Sequence, residues 1–128
     1  MATYLLDTSV IVDALNGKRG REALLAGLLR QGNTLACCAI NVAEVYAGMR
    51  PHEAEDTDEL LSSFGYYDID WEIAKRAGAI KFQQARRGRA LSLADTIIAA
   101  VALSNDLTLI TDDAKGYPIP GLRLSLLG

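Results

Sequence analysis

Short, almost wholly apolar runs alternate with longer stretches of helical period along this chain, and that alternation limits the fold more than any other feature. TYLL (3–6) leads into SVIVDAL, TLACCAI (34–40) into NVAEVYAGM, and YYDID (66–70) into WEIAKRAGAIKFQQARRG. LSLADTIIAAVALSND leads in turn to LTLIT (107–111), and LRLSLL (122–127) closes the chain. Apolar runs of this length that do not alternate with polar residues suit strands buried on both faces, which is the habit of parallel sheets. Parallel neighbours need crossover connections, usually helical. The pattern predicts an α/β fold of three layers, α/β/α, around a central, mainly parallel sheet of about five strands.

The remaining segments read as surface-packing helices. KRGREALLAGLLRQG carries Leu24, Leu25, Leu28 and Leu29 on one stripe and stops at Gly32; HEAEDTDELLSSFG is strongly charged, with Leu60, Leu61 and Phe64 turned inward. A chain of 128 residues, half of them hydrophobic, with no repeat and no linker-like tract, is expected to form one domain over 1–128. Its N-terminus lacks the basic region of a signal peptide, and no stretch approaches the ~18 apolar residues a membrane span needs. A cytoplasmic protein with no membrane partner is the expectation. Cys37 and Cys38 are adjacent, which suits neither a CxxC metal site nor a disulfide framework; they read as small buried hydrophobes in a strand.

In open parallel sheets the ligand crevice lies beyond the carboxyl ends of the strands. Acids gather there. Asp7 follows TYLL, Glu44 lies in the first turn of the helix after TLACCAI, Asp95 lies in the first turn of the apolar LSLADTIIAA helix, and Asp112 and Asp113 follow TLIT. Each has an ordinary explanation. Asn41-x-x-Glu44 and Ser92-x-x-Asp95 resemble capping boxes, and acids near helix starts gain from the helix dipole by roughly 0.3–1 kcal/mol. For Asp95 that explanation is strained, because Leu93, Ile97, Ala100 and Val101 form one apolar stripe and Ile98, Ala99 and Ala102 surround the rest. A charge at the mouth of a buried helix is expensive unless a cation or a partner such as Lys115 or an arginine meets it. Converging carboxylates also raise one another's pKa, a penalty that a hard divalent cation such as Mg²⁺ or Mn²⁺ removes.

A net charge of −3 argues against a nucleic-acid partner until the acids are located; setting four of them aside leaves +1. Lys75, Arg76, Lys81, Arg86, Arg87 and Arg89 then lie in one acid-free segment just before the Asp95 helix. Such a run is commonly a solvated helix face, but at this position Lys81, Arg86, Arg87 and Arg89 are candidate RNA phosphate contacts.

YLLDTSVIVDAL, INVAEVYAGM, LSLADTIIAAVAL and LTLITDDAKGYP together resemble the four motif blocks of PIN-domain nucleases, in particular the VapC toxins of toxin–antitoxin pairs. The resemblance runs essentially end to end. It implies a metal-dependent endoribonuclease using Mg²⁺ or Mn²⁺, with Asp7, Asp95 and Asp113 as metal ligands and Glu44 reaching the metal directly or through water. Thr8, Ser9, Thr111 and Asp112 match polar positions lining that site, and Gly48 fits the second block, where a missing side chain allows close helix packing. In-line attack of water would leave 5′-phosphate and 3′-hydroxyl ends. His52, the only histidine, falls in a loop and is given no role. The last block departs from the family pattern: Asp113 is followed by Gly116 and Tyr117 where Asp-Phe is common, which leaves Asp112 a competitor for the fourth acid.

The resemblance further implies an RNA substrate, a cognate VapB-type antitoxin and a homodimer, with the two leucine clusters as candidate antitoxin contacts. Two other readings compete. An aspartate-nucleophile phosphatase would use Asp7 covalently, but it carries a second Asp two residues on, where this chain has Ser9. A non-catalytic PIN-like module that binds RNA or protein would be expected to have lost acids that this chain retains.

Overall fold

A computed structural model describes residues 1–126. Its five strands, β1 (Thr3–Leu6), β2 (Thr34–Cys38), β3 (Gly65–Tyr67), β4 (Thr108–Thr111) and β5 (Arg123–Leu126), form one sheet in the order β3-β2-β1-β4-β5. Every pairing is parallel. The strand expected over 122–127 is seen as Arg123–Leu126, and Leu127 lies outside the described residues.

Because side chains alternate along a strand, each central strand feeds two cores. Leu5, Ala36, Cys38 and Leu109 pack with Ile73, Ala77, Ile80 and the run Ile98 to Ala102 on one face of the sheet. Leu6, Leu35, Cys37 and Ile110 pack with Val10, Ile11, Leu25, Val45 and Leu61 on the other. The first core is covered by α5 (Trp71–Arg86) and α6 (Leu93–Ser104), the second by α1 (Thr8–Leu15), α2 (Arg21–Arg30), α3 (Ala39–Gly48) and α4 (Ala54–Ser62). These are the three layers that the apolar runs predict. The adjacent cysteines face opposite cores and both are free; burial pushes the Cys37 thiol up to about 11 and raises that of Cys38.

Local signals place the helix starts. The Asp70 carboxylate accepts the Ile73 amide at 2.9 Å to open α5, and the Ser92 hydroxyl accepts the Asp95 amide at 3.1 Å to open α6. The connection 87–92 turns α5 back on α6, and Arg76 near the start of α5 reaches Ser104 at the end of α6. His52 lies exposed in a 3₁₀ turn, Pro51–Glu53. No helix among the described residues is long and apolar enough to cross a membrane.

Some details differ from the sequence reading. Leu93 and Leu29 are each 54% exposed, so neither completes its expected stripe. A Cβ at Gly48 would meet nothing within 4 Å, so close packing does not require glycine there. TLACCAI is a strand only as far as Cys38; Ala39 already begins α3, which puts Glu44 in the second turn of that helix.

Candidate active site

The order of the sheet reverses direction at β1, since the chain first adds strands on the β2 side and then returns to add β4 on the other. A crevice at the carboxyl end of such a switch point is the usual ligand site of an open parallel sheet. Asn41 widens it. The β1–β2 ladder includes a bond from the Thr34 amide to the Ala2 carbonyl, and its register carries Thr3 against Thr34 and Leu5 against Ala36. Continued by the same alternation, it would next join the Cys38 amide to the Leu6 carbonyl. Instead the Asn41 carboxamide takes both: its oxygen accepts from Cys38 N at 2.9 Å and its nitrogen donates to Leu6 O at 3.0 Å. That nitrogen also donates to Thr8 Oγ1 at 3.0 Å, and Asn41 is fully buried. Asn41 is thus the third residue of α3 and not the cap of a box with Glu44.

Around this opening, each acid singled out in the sequence has one oxygen held by a donor. Asp7 occupies the N-cap position of α1, yet its side chain makes no capping bond; Thr111 at the end of β4 donates to its Oδ2 at 2.8 Å. Thr8 donates to Glu44 Oε1 at 2.7 Å. Tyr117 donates to Asp95 Oδ1 at 3.3 Å. Asp113 Oδ1 accepts the Gly116 amide at 3.0 Å, while its own amide donates to Thr111 Oγ1 at 3.0 Å. Capping therefore accounts for Asp113, which caps the turn Ala114–Gly116, and not for Asp7 or Glu44. Ser92 caps α6, and the Asp95 carboxylate is left for Tyr117.

Asp7 and Asp95 are the two acids brought closest in effect. Burial, above all, raises the Asp7 pKa against the lowering influence of Thr111, and the charge of Asp95 raises it further. Both carboxylates bear on the same phenol, so that burial, and then Asp7 and Asp95, push the Tyr117 pKa far above its ordinary value and keep the hydroxyl protonated. Asp95 meets this hydroxyl and no lysine or arginine among the ion pairs of the described residues. Glu44 and Asp113 are exposed at the margin, and Ser9 is exposed beside Thr8. Among the described residues no three Asp, Glu, His or Cys side chains stand close enough to hold an ion between them unaided.

Asp112 is engaged elsewhere. Its Oδ2 lies 2.9 Å from Arg19 Nη1 and 3.7 Å from Arg21 Nη2, and Arg21 is only 6% exposed. This pair ties the α1–α2 connection to the end of β4 and leaves Asp113 as the acid whose amide shares Thr111 with Asp7. Of the basic candidates, Lys81 donates to the Leu91 carbonyl, Arg89 to Gln84 Oε1 at 3.3 Å, and Arg86 lies 5.7 Å from the centre of the Phe82 ring. Arg87 is exposed at the C-cap of α5. Sequence reasoning missed Tyr117, Arg19 and Arg21 and took Asn41 for a helix cap; the only trace of Tyr117 was the departure from the family's last block.

Residues 4–119 match the PIN domain family. Ribonuclease VapC10 of Mycobacterium tuberculosis is 31% identical over 115 residues, covering 90% of this chain and 86% of the relative, and ribonuclease VapC19 of the same organism is 28% identical over 90% of this chain and 92% of the relative. Among solved structures, VapBC2 from Rickettsia felis, bound to a DNA fragment from its promoter, has a chain that superposes with a TM-score of 0.85 at 25% identity, covering 97% of this chain and 98% of that one. A toxin–antitoxin complex from Klebsiella pneumoniae gives a TM-score of 0.77 at 30% identity over 93% of this chain and 94% of that one. By its motif blocks, its parallel sheet and these relatives, the chain belongs to the PIN-domain family, among the ribonucleases named VapC.

Proposed function

We propose that this protein is a cytoplasmic endoribonuclease toxin that cuts RNA with Mg²⁺ or Mn²⁺ and is neutralised by a VapB-type antitoxin. The observation that carries the reading is the convergence of Asp7 and Asp95, from β1 and α6, on one buried hydroxyl at the switch point. Two like charges held together in a partly buried crevice suit a cation better than they suit helix capping. The donor set fits Mg²⁺ or Mn²⁺: such ions accept hard carboxylate oxygens, and Mg²⁺ commonly takes one or two of them, with water and substrate phosphate completing its shell. Asp7 and Asp95 would hold the ion, with Glu44 and Asp113 at the margin as further ligands, direct or through water.

When bound, the ion supplies activation of water and neutralisation of charge at the phosphodiester. The chain's own residues orient the acids. Thr111 fixes one oxygen of Asp7, Thr8 fixes one oxygen of Glu44, and Asn41 fixes Thr8. Arg86, Arg87 and Arg89, where the end of α5 turns toward the α6 start, would meet RNA phosphates together with Lys81, which also donates to the Leu91 carbonyl.

For the antitoxin, an open groove of about 550 Å³ runs between α2 and α4, with Leu25, Leu29, Leu60 and Phe64 at its base and Glu22 and Glu59 on its rim. An apolar floor with an acidic rim suits an amphipathic segment with basic flanks. The VapBC complexes among the structural relatives support such a partner, and a homodimer is proposed on family grounds. The test is to incubate antitoxin-free protein with total cellular RNA, with and without MgCl₂ or MnCl₂, beside Asp7→Asn. Metal-dependent cuts with 5′-phosphate ends, absent in the variant, are expected. A folded protein that binds Mn²⁺ but cuts nothing would favour the RNA-binding alternative.

A further inference from the structure

We propose that Tyr117 is a positioning residue for the metal site, its buried hydroxyl fixing the rotamer of Asp95 and its spacing from Asp7 before an ion arrives. The inference rests on the metal reading given above. Tyr117 is 3% exposed and its ring packs in the core beneath α6, a role that phenylalanine would fill equally well. The hydroxyl is what phenylalanine lacks. It is the only side-chain donor to Asp95 among the described hydrogen bonds, at 3.3 Å from Oδ1, and Asp7 lies near enough for its charge to act on both groups. A phenol has one proton, so a hydroxyl that donates to Asp95 has none left for Asp7. It therefore cannot neutralise the pair as an ion does; it spaces the two acids and leaves Asp95 Oδ2 free.

The backbone around Tyr117 is built to deliver that hydroxyl. The turn Ala114–Gly116 is closed by the Asp113 carboxylate on the Gly116 amide, and a Cβ at Gly116 would lie 2.5 Å from Asp113 Oδ2. Glycine is thus needed for Asp113 to fold over its own turn. On the far side, the Tyr117 carbonyl accepts from the Ile119 amide at 2.8 Å. Hydrogen bonds to ligand carboxylates set ligand orientation, and losing one typically lowers metal affinity 10- to 100-fold.

The experiment is titration calorimetry of the metal-free protein with MnCl₂, comparing wild type with Tyr117→Phe and recording the metal-free melting temperature of each. The expected result is a Kd for Mn²⁺ raised by about 10- to 100-fold in Tyr117→Phe, and, in RNA cleavage, a higher Mn²⁺ requirement with the KM for RNA unchanged at saturating metal. A variant that melts earlier yet binds Mn²⁺ as the wild type does would reduce Tyr117 to packing and overturn the proposal. So would tighter binding, which would make the hydroxyl a competitor of the ion. A wild type that takes up no Mn²⁺ would overturn the metal reading itself and this inference with it. If Tyr117→Phe does not fold, 3-fluorotyrosine at 117 in the native background gives the answer: its fluorine resonance is expected to shift on adding MgCl₂, and an unmoved resonance overturns the proposal.

Discussion

Replacing Asn41 with alanine tests whether a side chain has taken over a rung of the sheet. Asn41→Ala strands two buried backbone groups, the Cys38 amide and the Leu6 carbonyl, which the carboxamide meets at 2.9 and 3.0 Å. An unpaired buried polar group costs about 1–3 kcal/mol, so the pair would cost about 2–6 kcal/mol if nothing moved. Partial closure of β1 on β2 would restore the direct bond and pull the loss toward about 3 kcal/mol. Thr8 loses one partner but keeps Glu44. For a chain of this size, each kcal/mol shifts Tm by roughly 3–6 °C, giving a drop of about 10–15 °C. Asn41→Asp separates shape from chemistry: it can still accept from Cys38 but cannot donate to Leu6 or Thr8, and it buries a charge, so it should melt at least as early at neutral pH. The assay is thermal and urea unfolding by circular dichroism, with the exposed Ser9→Ala as control. A loss below about 1 kcal/mol in Asn41→Ala, or an Asn41→Asp as stable as the wild type, would refute the idea that the carboxamide replaces a ladder bond.

Four further outcomes are expected. Asp7→Asn and Asp95→Asn should each abolish RNA cleavage with the circular dichroism spectrum unchanged, and either variant cutting at the wild-type rate would remove that acid from the mechanism. Because burial and Asp95 raise the Asp7 pKa, the folded state keeps a proton that the unfolded chain has lost. Metal-free stability should therefore fall as pH rises from the ordinary carboxylate range through the raised value, and Asp7→Asn should flatten that slope in a series of urea melts. MnCl₂ should raise Tm as stability grows with the logarithm of its concentration above Kd, by about 2.7 kcal/mol of unfolding free energy at a hundredfold excess, and EDTA should reverse it. Finally, Asp112→Asn should destabilise the fold by about 1–3 kcal/mol through the buried Arg21 while retaining cleavage, whereas Asp113→Asn should impair cleavage more than stability, measured by melts and RNA digestion side by side.

Much of the fold was legible because the central strands must be apolar on both faces, and TYLL, TLACC and LTLIT say so directly. The start of α6 was legible too, since Ser92 announces it three residues before Asp95. What escaped the sequence depended on partners far along the chain. TLACCAI reads as a strand through Ile40, but Asn41 captures the Cys38 amide because Leu6 lies opposite, 35 residues away. Nothing local distinguishes Asp112 from Asp113; their different partners, Arg19 for Asp112 from 93 residues earlier and the Gly116 amide for Asp113, depend on the fold. The leucine stripes misled at Leu29 and Leu93 because periodicity gives a face but not where the neighbouring helices stop covering it.

The bond between Thr111 and Asp7 spans 104 positions of the chain, and Tyr117 comes later still. During synthesis Asp7 emerges early, with β1 having no β4 to pair with, and Asp95 follows on a helix that has no sheet beneath it at that strand position. Local helices form in microseconds, whereas the insertion of β4 beside β1 waits until residues 108–111 have left the ribosome. Asp7 and Asp95 thus wait for hydroxyls that are made after them. A nascent chain that has yet to make β4 therefore carries the Asp7 and Asp95 carboxylates without the assembled crevice.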